Sequence, residues 1–266
     1  MADRRSRLAS VLVAAVLAGA GAQAKQPFPA SPTGFELGVA LGAVQLRDDA
    51  LAPFRWTGPL VDLSASGSFI TGRIRHQPKL SLSVAYACNR YGHGAAAIDI
   101  GAGYRLFLHW SLRLAGGAFE PGAWVFYRQH NAYFYSWDDT HIYWLTGFGV
   151  GPARAWRRAV SRRVTLGVDA AGSLLALASR PPEYRRNKQD RFEHIGFYFI
   201  DNFRNLSVSL PDRYQAADVR AGIEWRAGRG VVGAGYRLDL LRATWPVPGV
   251  AVMHGIWFRW HPGARR

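Results

Sequence analysis

The stretch Val61-Asp62-Leu63-Ser64-Ala65-Ser66-Gly67-Ser68-Phe69 alternates residue by residue between apolar or small and polar side chains. Successive side chains of a β-strand point to opposite faces, so Val61, Leu63, Ala65, Gly67 and Phe69 share one face and Asp62, Ser64, Ser66 and Ser68 the other. The helical spacing of three and four does not fit this order. A second stretch repeats it: Leu80, Leu82, Val84, Tyr86 and Cys88 alternate with Ser81, Ser83, Ala85, Ala87 and Asn89.

Extending the pattern in both directions predicts ten strands, near 34–47, 57–73, 79–91, 95–108, 111–127, 140–155, 163–179, 214–226, 231–242 and 249–260. At roughly 12 to 17 residues they exceed the 5 or 6 usual in soluble sheets and suffice for a tilted membrane strand of about 9 to 11. The expected fold is all-β, a transmembrane antiparallel up-and-down β-barrel. A further alternation at 195–200 keeps a count of twelve open. An even count brings both chain ends to one side, and short turns should alternate with longer outer loops. Outer connections are expected at 48–56, 90–94, 128–139, 180–213 and 243–248, with tight turns near His109 and Trp110 and at 227–229.

The polar faces separate a membrane barrel from a soluble sandwich, which would also alternate. Ile98, Ile100, Ala102, Tyr104, Leu106 and Leu108 oppose Asp99, Gly101, Gly103 and Arg105, while Val219, Ala221, Ile223 and Trp225 oppose Asp218, Arg220, Gly222 and Glu224. Small residues mixed with both signs of charge suit a crowded lumen better than an outer surface. The predicted lumen charges are Glu36, Asp62, Asp99, Asp169, Asp218, Glu224 and Asp239, facing Arg105, Arg113, Arg220, Arg237 and Arg259. Lone buried charges cost several kcal/mol each, so these are expected to pair. Aromatic residues near strand ends (Phe35, Trp56, Phe69, Tyr91, Trp110, Trp124, Tyr127, Trp144, Trp156, Trp225, Tyr236, Trp257 and Trp260) read as interfacial girdles. In the last strand Gly255, Phe258 and Trp260 resemble the terminal assembly signal of outer-membrane barrels, with His261 to Arg266 continuing past it.

The N-terminus has the order of a cleaved secretory signal: Arg4, Arg5 and Arg7, an apolar run from Leu8 to Ala18, then Ala22, Gln23 and Ala24. That run of about 11 residues is shorter than the roughly 20 of a membrane helix. The signal is expected at 1–24, and 25–266 should form one barrel domain. The single cysteine, Cys88, leaves no internal disulfide, and it alternates with the lipid-facing set. The net charge of +15 would raise the question of nucleic acid in a cytosolic chain. With an export signal the arginines read instead as turn residues, some facing lipid phosphates: Arg73, Arg75, Arg154, Arg157, Arg158, Arg162, Arg163, Arg226 and Arg229.

Catalytic signals are weak. Asp139 and His141 stand two apart, which on an extended segment points both one way, and a carboxylate can orient an imidazole as general base. This resembles half of the aspartate–histidine site of omptin-type proteases, whose second acidic pair would have to come from Asp48 and Asp49. His194, with Asp201, Ser207 and Ser209 downstream, is the alternative, a rim hydrolase of lipid or peptide. His93 between Gly92 and Gly94 reads as a turn residue. Phe192, Phe197, Tyr198, Phe199, Phe203 and Leu206 sit among basic residues in the long connection, an apolar loop suited to the barrel mouth or to a partner. No metal-ligand spacing, phosphate loop or cofactor motif is present.

The stretches from Asp49 through Pro53 to Gly58, Arg113 to Gly117, His194 to Asn202 and Gly235 to Arg237 together resemble a family of small outer-membrane proteins known only as a domain of unknown function. The resemblance implies a barrel and an export signal, and it carries over no catalytic residue. The expectation is a non-enzymatic outer-membrane barrel, structural or surface-binding. Its expected partners are the outer-membrane lipids, lipopolysaccharide included, the barrel assembly machinery and an unidentified surface ligand. A rim hydrolase and a small-solute channel are the alternatives.

Overall fold

The computed structural model describes residues 33–49, 52–108, 112–135, 140–180, 185–187, 206–228, 230–245 and 248–262. The predicted signal at 1–24 and the alternation at 195–200 lie outside them. The strands are β1 (Gly34–Asp48), β2 (Ala52–Thr71), β3 (Ile74–Cys88), β4 (Gly94–Leu108), β5 (Leu112–Leu114), β6 (Gly117–Tyr135), β7 (Thr140–Ala159), β8 (Val164–Gly172), β9 (Leu175–Ser179), β10 (Arg185–Asn187), β11 (Ser207–Ser209), β12 (Tyr214–Ala227), β13 (Gly230–Ala243) and β14 (Gly249–His261).

All are antiparallel to their neighbours and belong to one sheet. β5 continues the line of β4 along β6. β8, β9 and β10 follow one another along β7, and β11 lies beyond β12 against β9. The fourteen segments thus make ten staves, and β14 pairs with β1 over Leu37↔Trp260 to Asp48↔Gly249, which closes the barrel. Closure gives each of the ten staves a partner on both sides, the requirement a bilayer imposes on a sheet, while among the described residues the short rim segments β5, β10 and β11 pair on one side. The described residues include no helix long and apolar enough to cross a membrane.

Gly34 and His261 lie at one end of the staves, together with the tight turns at 72–73, 115–116 and 160–163 and the turn at Gly228 between β12 and β13. The opposite end carries the longer connections. The hairpin turn predicted at His109 and Trp110 is instead at Ala115 (φ 50°) and Gly116 (φ 70°), and residues 109–111 lie outside the described set. Two successive positive φ values make the two-residue turn that follows the twist of a hairpin. Pairing also runs further toward the outer end than the polar sequence there suggested. β2 starts at Ala52, so the connection predicted over 48–56 is mostly strand, and β6 reaches Tyr135, so most of 128–139 is strand too. Backbone pairing continues wherever two strands stay in register, whatever the polarity of the side chains.

The side chains are distributed inside out relative to a soluble sandwich. On β1 the odd residues Phe35, Leu37, Val39 and Leu41 are exposed, and the even residues Glu36, Ala40, Val44 and Leu46 are buried. On β3 Leu80, Leu82, Val84 and Tyr86 face out, and Ser83, Ala85 and Ala87 face in. Exposed apolar side chains around a closed, charge-filled interior are the arrangement of a transmembrane barrel.

Candidate functional site: the lumen and the two rims

The lumen divides into two halves. From mid-height to the end bearing the chain termini it holds the carboxylates of Glu36, Asp62, Asp99, Glu120, Asp169, Asp218, Glu224 and Asp239. Against them stand Arg75, Lys79, Arg105, Arg128, Arg157, Arg220, Arg237 and Arg259. Negative and positive side chains are equal in number here, so apart from the imidazoles of His130 and His261 this half of the interior is neutral. The formal excess of +15 lies outside this half of the lumen.

These groups pair across the barrel. Arg128 donates to Asp99 at 2.9 Å and to Asp239 at 3.2 Å. Arg237 bridges Asp239 and Asp62, and Ser83 Oγ donates to Asp62 at 2.6 Å. Asp218 accepts from Arg105 at 2.5 Å and from Lys79 at 3.3 Å, with Arg220 Nε 3.7 Å away. One network therefore joins β2, β3, β4, β6, β12 and β13. Nearer the termini Arg157 grips both oxygens of Asp169, at 2.8 and 2.9 Å, while Arg259 joins Glu224 to Glu36, and His261 Nε2 lies 2.6 Å from Glu36. Arg75 pairs with Glu120 at 2.5 Å and lies 4.1 Å over the Phe107 ring. In a medium of low polarity such pairs hold only if each charge has a partner in good geometry.

The half of the lumen toward the long connections is mainly apolar, with Thr146, Ser179 and Arg180 buried there as well. Val44, Leu46, Trp56, Leu60, Phe134, Leu145, Leu241 and Met253 form one buried cluster with a ring of alanines, among them Ala85, Ala87, Ala95, Ala97, Ala132 and Ala251. Trp56 meets Phe134 edge-on at 4.7 Å, and Trp124 stacks on Phe126 at 4.2 Å. Sequence reading assigned apolar side chains to the lipid face, so this half was not foreseen. Trp56, Trp124 and Trp257, expected in girdles, are buried instead. Each half holds a small cavity. One of about 30 Å³ is lined by Lys79, Arg105, Arg128, Asp218, Arg237 and Asp239, and one of about 10 Å³ by Leu46, Phe134, Leu145 and Leu241 among others. Each has room for about one water.

The structure places Glu36, Asp62, Asp99, Arg105, Asp169, Asp218, Arg220, Glu224, Arg237, Asp239 and Arg259 in the charged half. Arg113 departs from the prediction: it lies exposed on β5 beside the turn, outside this buried set. Arg75 and Arg157, expected in turns, are buried in the lumen, as are Arg128, Glu120, Lys79 and His130, which were not singled out. Strand parity would have found them had the strands been drawn to their full length, since Arg75, Arg128 and Arg157 lie on the inward-facing side of β3, β6 and β7. His141 is in β7, paired with Phe134 and Arg186, and Asp139 and His194 lie outside the described residues. Asp49 bonds Arg47 at 2.7 Å, and Ser207 Oγ donates to Ala178 O at 3.3 Å. His93 N donates to Asn89 Oδ1 at 3.1 Å in a turn, as expected. Among the described residues no three His, Cys, Asp or Glu side chains gather to hold a metal ion.

The two outer rims also differ. At the termini end Trp225, Val232, Trp260 and Leu37 stand in register across β12, β13, β14 and β1, and Phe35 and Phe69 are exposed beside them. That is an aromatic belt. At the other end Arg242, Val250, Arg47 and Arg55 stand in register across β13, β14, β1 and β2. Between the rims the apolar wall is broken by pairs whose polar atoms satisfy each other: Tyr236 Oη lies 2.9 Å from His254 Nδ1, and His76 Nδ1 lies 2.9 Å from Tyr104 Oη.

No protein-family model and no curated protein matches the chain. Among solved structures it is similar to the translocator domain of the autotransporter NalP from Neisseria meningitidis, at 9% identity and a TM-score of 0.44, covering 98% of this chain and 95% of that one. It is similar also to the transport unit of the autotransporter AIDA-I from Escherichia coli, at 10% identity and a TM-score of 0.44, covering 96% and 97%. A third is the beta domain of the Bordetella autotransporter BrkA, at 12% identity and a TM-score of 0.43, covering 86% and 98%. At these scores the fold assignment stands on the chain's own strand pairing and on the side chains that face in and out.

Proposed function

We propose that this protein is a non-enzymatic outer-membrane β-barrel that acts through its surface, as a structural or binding element, with a lumen closed to solutes. The observation that carries this reading is the doubly sealed interior. An apolar plug of Val44, Leu46, Trp56, Phe134, Leu145 and Leu241 sits in series with a neutral stack of ion pairs, with cavities of about 30 Å³ in the stack and about 10 Å³ in the plug. An ion entering the plug would lose most of its hydration to apolar side chains, with Thr146, Ser179 and Arg180 among the polar groups buried beside them, a cost of several kcal/mol. The membrane setting is supported by the exposed apolar wall between an aromatic rim and a basic one.

The test is conductance across a planar bilayer, using protein purified from outer membranes and shown to be folded by a gel mobility that changes on heating. The expected record is silent. Steady openings of uniform size would overturn the closed-lumen reading.

A further inference from the structure

We propose that Arg242, Arg47 and Arg55 form a binding site for the phosphate groups of a phosphorylated glycolipid in the outer leaflet. This rests on the membrane reading above and adds to it a site and a ligand chemistry. The three residues lie level with one another, at the rim away from the chain termini, which in barrels of this kind faces the cell exterior. Each points outward by strand parity: Arg47 follows Val39 and Leu41, Arg55 precedes Val61 and Leu63, and Arg242 follows Leu238, all exposed. All three arginines are exposed themselves.

Neighbouring strands are about 4.8 Å apart. Arg47 and Arg55 therefore sit side by side, with Arg242 about 10 Å away beyond Val250, a spread that two phosphate groups on one headgroup can span. Guanidinium groups bind phosphate by paired N–H donors. Below the row come exposed Gln45 and Thr57, paired with each other in register, and below them the apolar wall of Leu41 and Val61. The order of charge, hydrogen-bonding groups and apolar surface matches a phosphorylated sugar headgroup with acyl chains beneath it. The described acidic side chain beside the row is Asp49, bonded to Arg47 at 2.7 Å in an exposed pair. Such a pair contributes little, and a phosphate can displace it. The lumen acids pair with lumen bases in the half toward the termini, so they do not draw on this charge.

The test reconstitutes the purified, delipidated protein into phosphatidylcholine vesicles doped with bisphosphorylated lipid A and measures the lipid A retained per barrel after extraction. The triple variant Arg47→Gln, Arg55→Gln, Arg242→Gln should retain at least tenfold less, each arginine near an anionic membrane surface accounting for about a fivefold preference. Dephosphorylated lipid A should not be enriched, and millimolar inorganic phosphate should not compete. Arg73→Gln with Arg226→Gln, at the other rim, should leave retention unchanged. Undiminished retention by the triple variant overturns the proposal, as does equal retention of the dephosphorylated lipid, which would mean recognition of acyl chains alone. Full competition by inorganic phosphate would overturn it in favour of a free-anion site. If the unmodified protein fails to insert and stays open to protease, the membrane reading falls and the site with it.

Discussion

The two halves of the lumen are built by the same ten staves and solve the same problem by opposite means. Toward the termini the interior is filled by charges that cancel in pairs, such as Arg157 with Asp169 and Arg128 with Asp99. Toward the long connections it is filled by Val44, Leu46, Phe134, Leu241 and a ring of alanines. A charged interior specifies partners one by one and fails badly when one is lost. An apolar interior is tolerant of chemistry and sensitive to volume. Either filling leaves little free space inside the barrel, and the two stand in series.

The contrast is broken most sharply by removing one charge from the central network. Arg237→Leu leaves Asp62 with only the Ser83 hydroxyl and Asp239 with only Arg128, and the cost should be about 3–5 kcal/mol, read as a lower urea midpoint of unfolding. An unchanged midpoint would mean that the network is hydrated and its charges behave as surface groups. In the apolar half Leu241→Ala should cost about 3 kcal/mol through lost transfer energy and a cavity, again by urea titration. The smallest effect is expected where both members of a pair are replaced together. Arg75→Met with Glu120→Leu turns part of the charged half into the kind of filling found in the other, and should shift stability by less than about 1 kcal/mol, whereas Glu120→Leu alone should cost several. A double variant as damaging as the single one would show that the charges do more than satisfy each other.

Much of this was legible in the sequence because the side-chain period of a strand is two. Alternation at 61–69 and 80–89 sufficed for the barrel, for Asp62 and Ser83 pointing inward, and for Leu82 and Cys88 pointing outward. Arg75 and Arg157 were misread as turn residues because strand ends were drawn where the polarity changed, while the backbone kept pairing. Arg113 was misread in the other direction, being placed deep when it stands beside the hairpin turn. The apolar half of the lumen was invisible for a different reason. Where both faces of a strand are apolar or small, as around Val39 to Val44 and Gly94 to Ile98, period two carries no contrast.

What the sequence determined by itself is the class of fold, the even strand count and which residues share a face, since each depends on local periodicity alone. Which charge meets which, as Arg105 meets Asp218 and Arg237 meets Asp62, only the tertiary structure decided. So too did the level at which Arg242, Arg47 and Arg55 line up. Both are set by the stagger of the strands and by closure of β14 on β1, which bring together residues far apart in the chain and leave no trace in any local stretch.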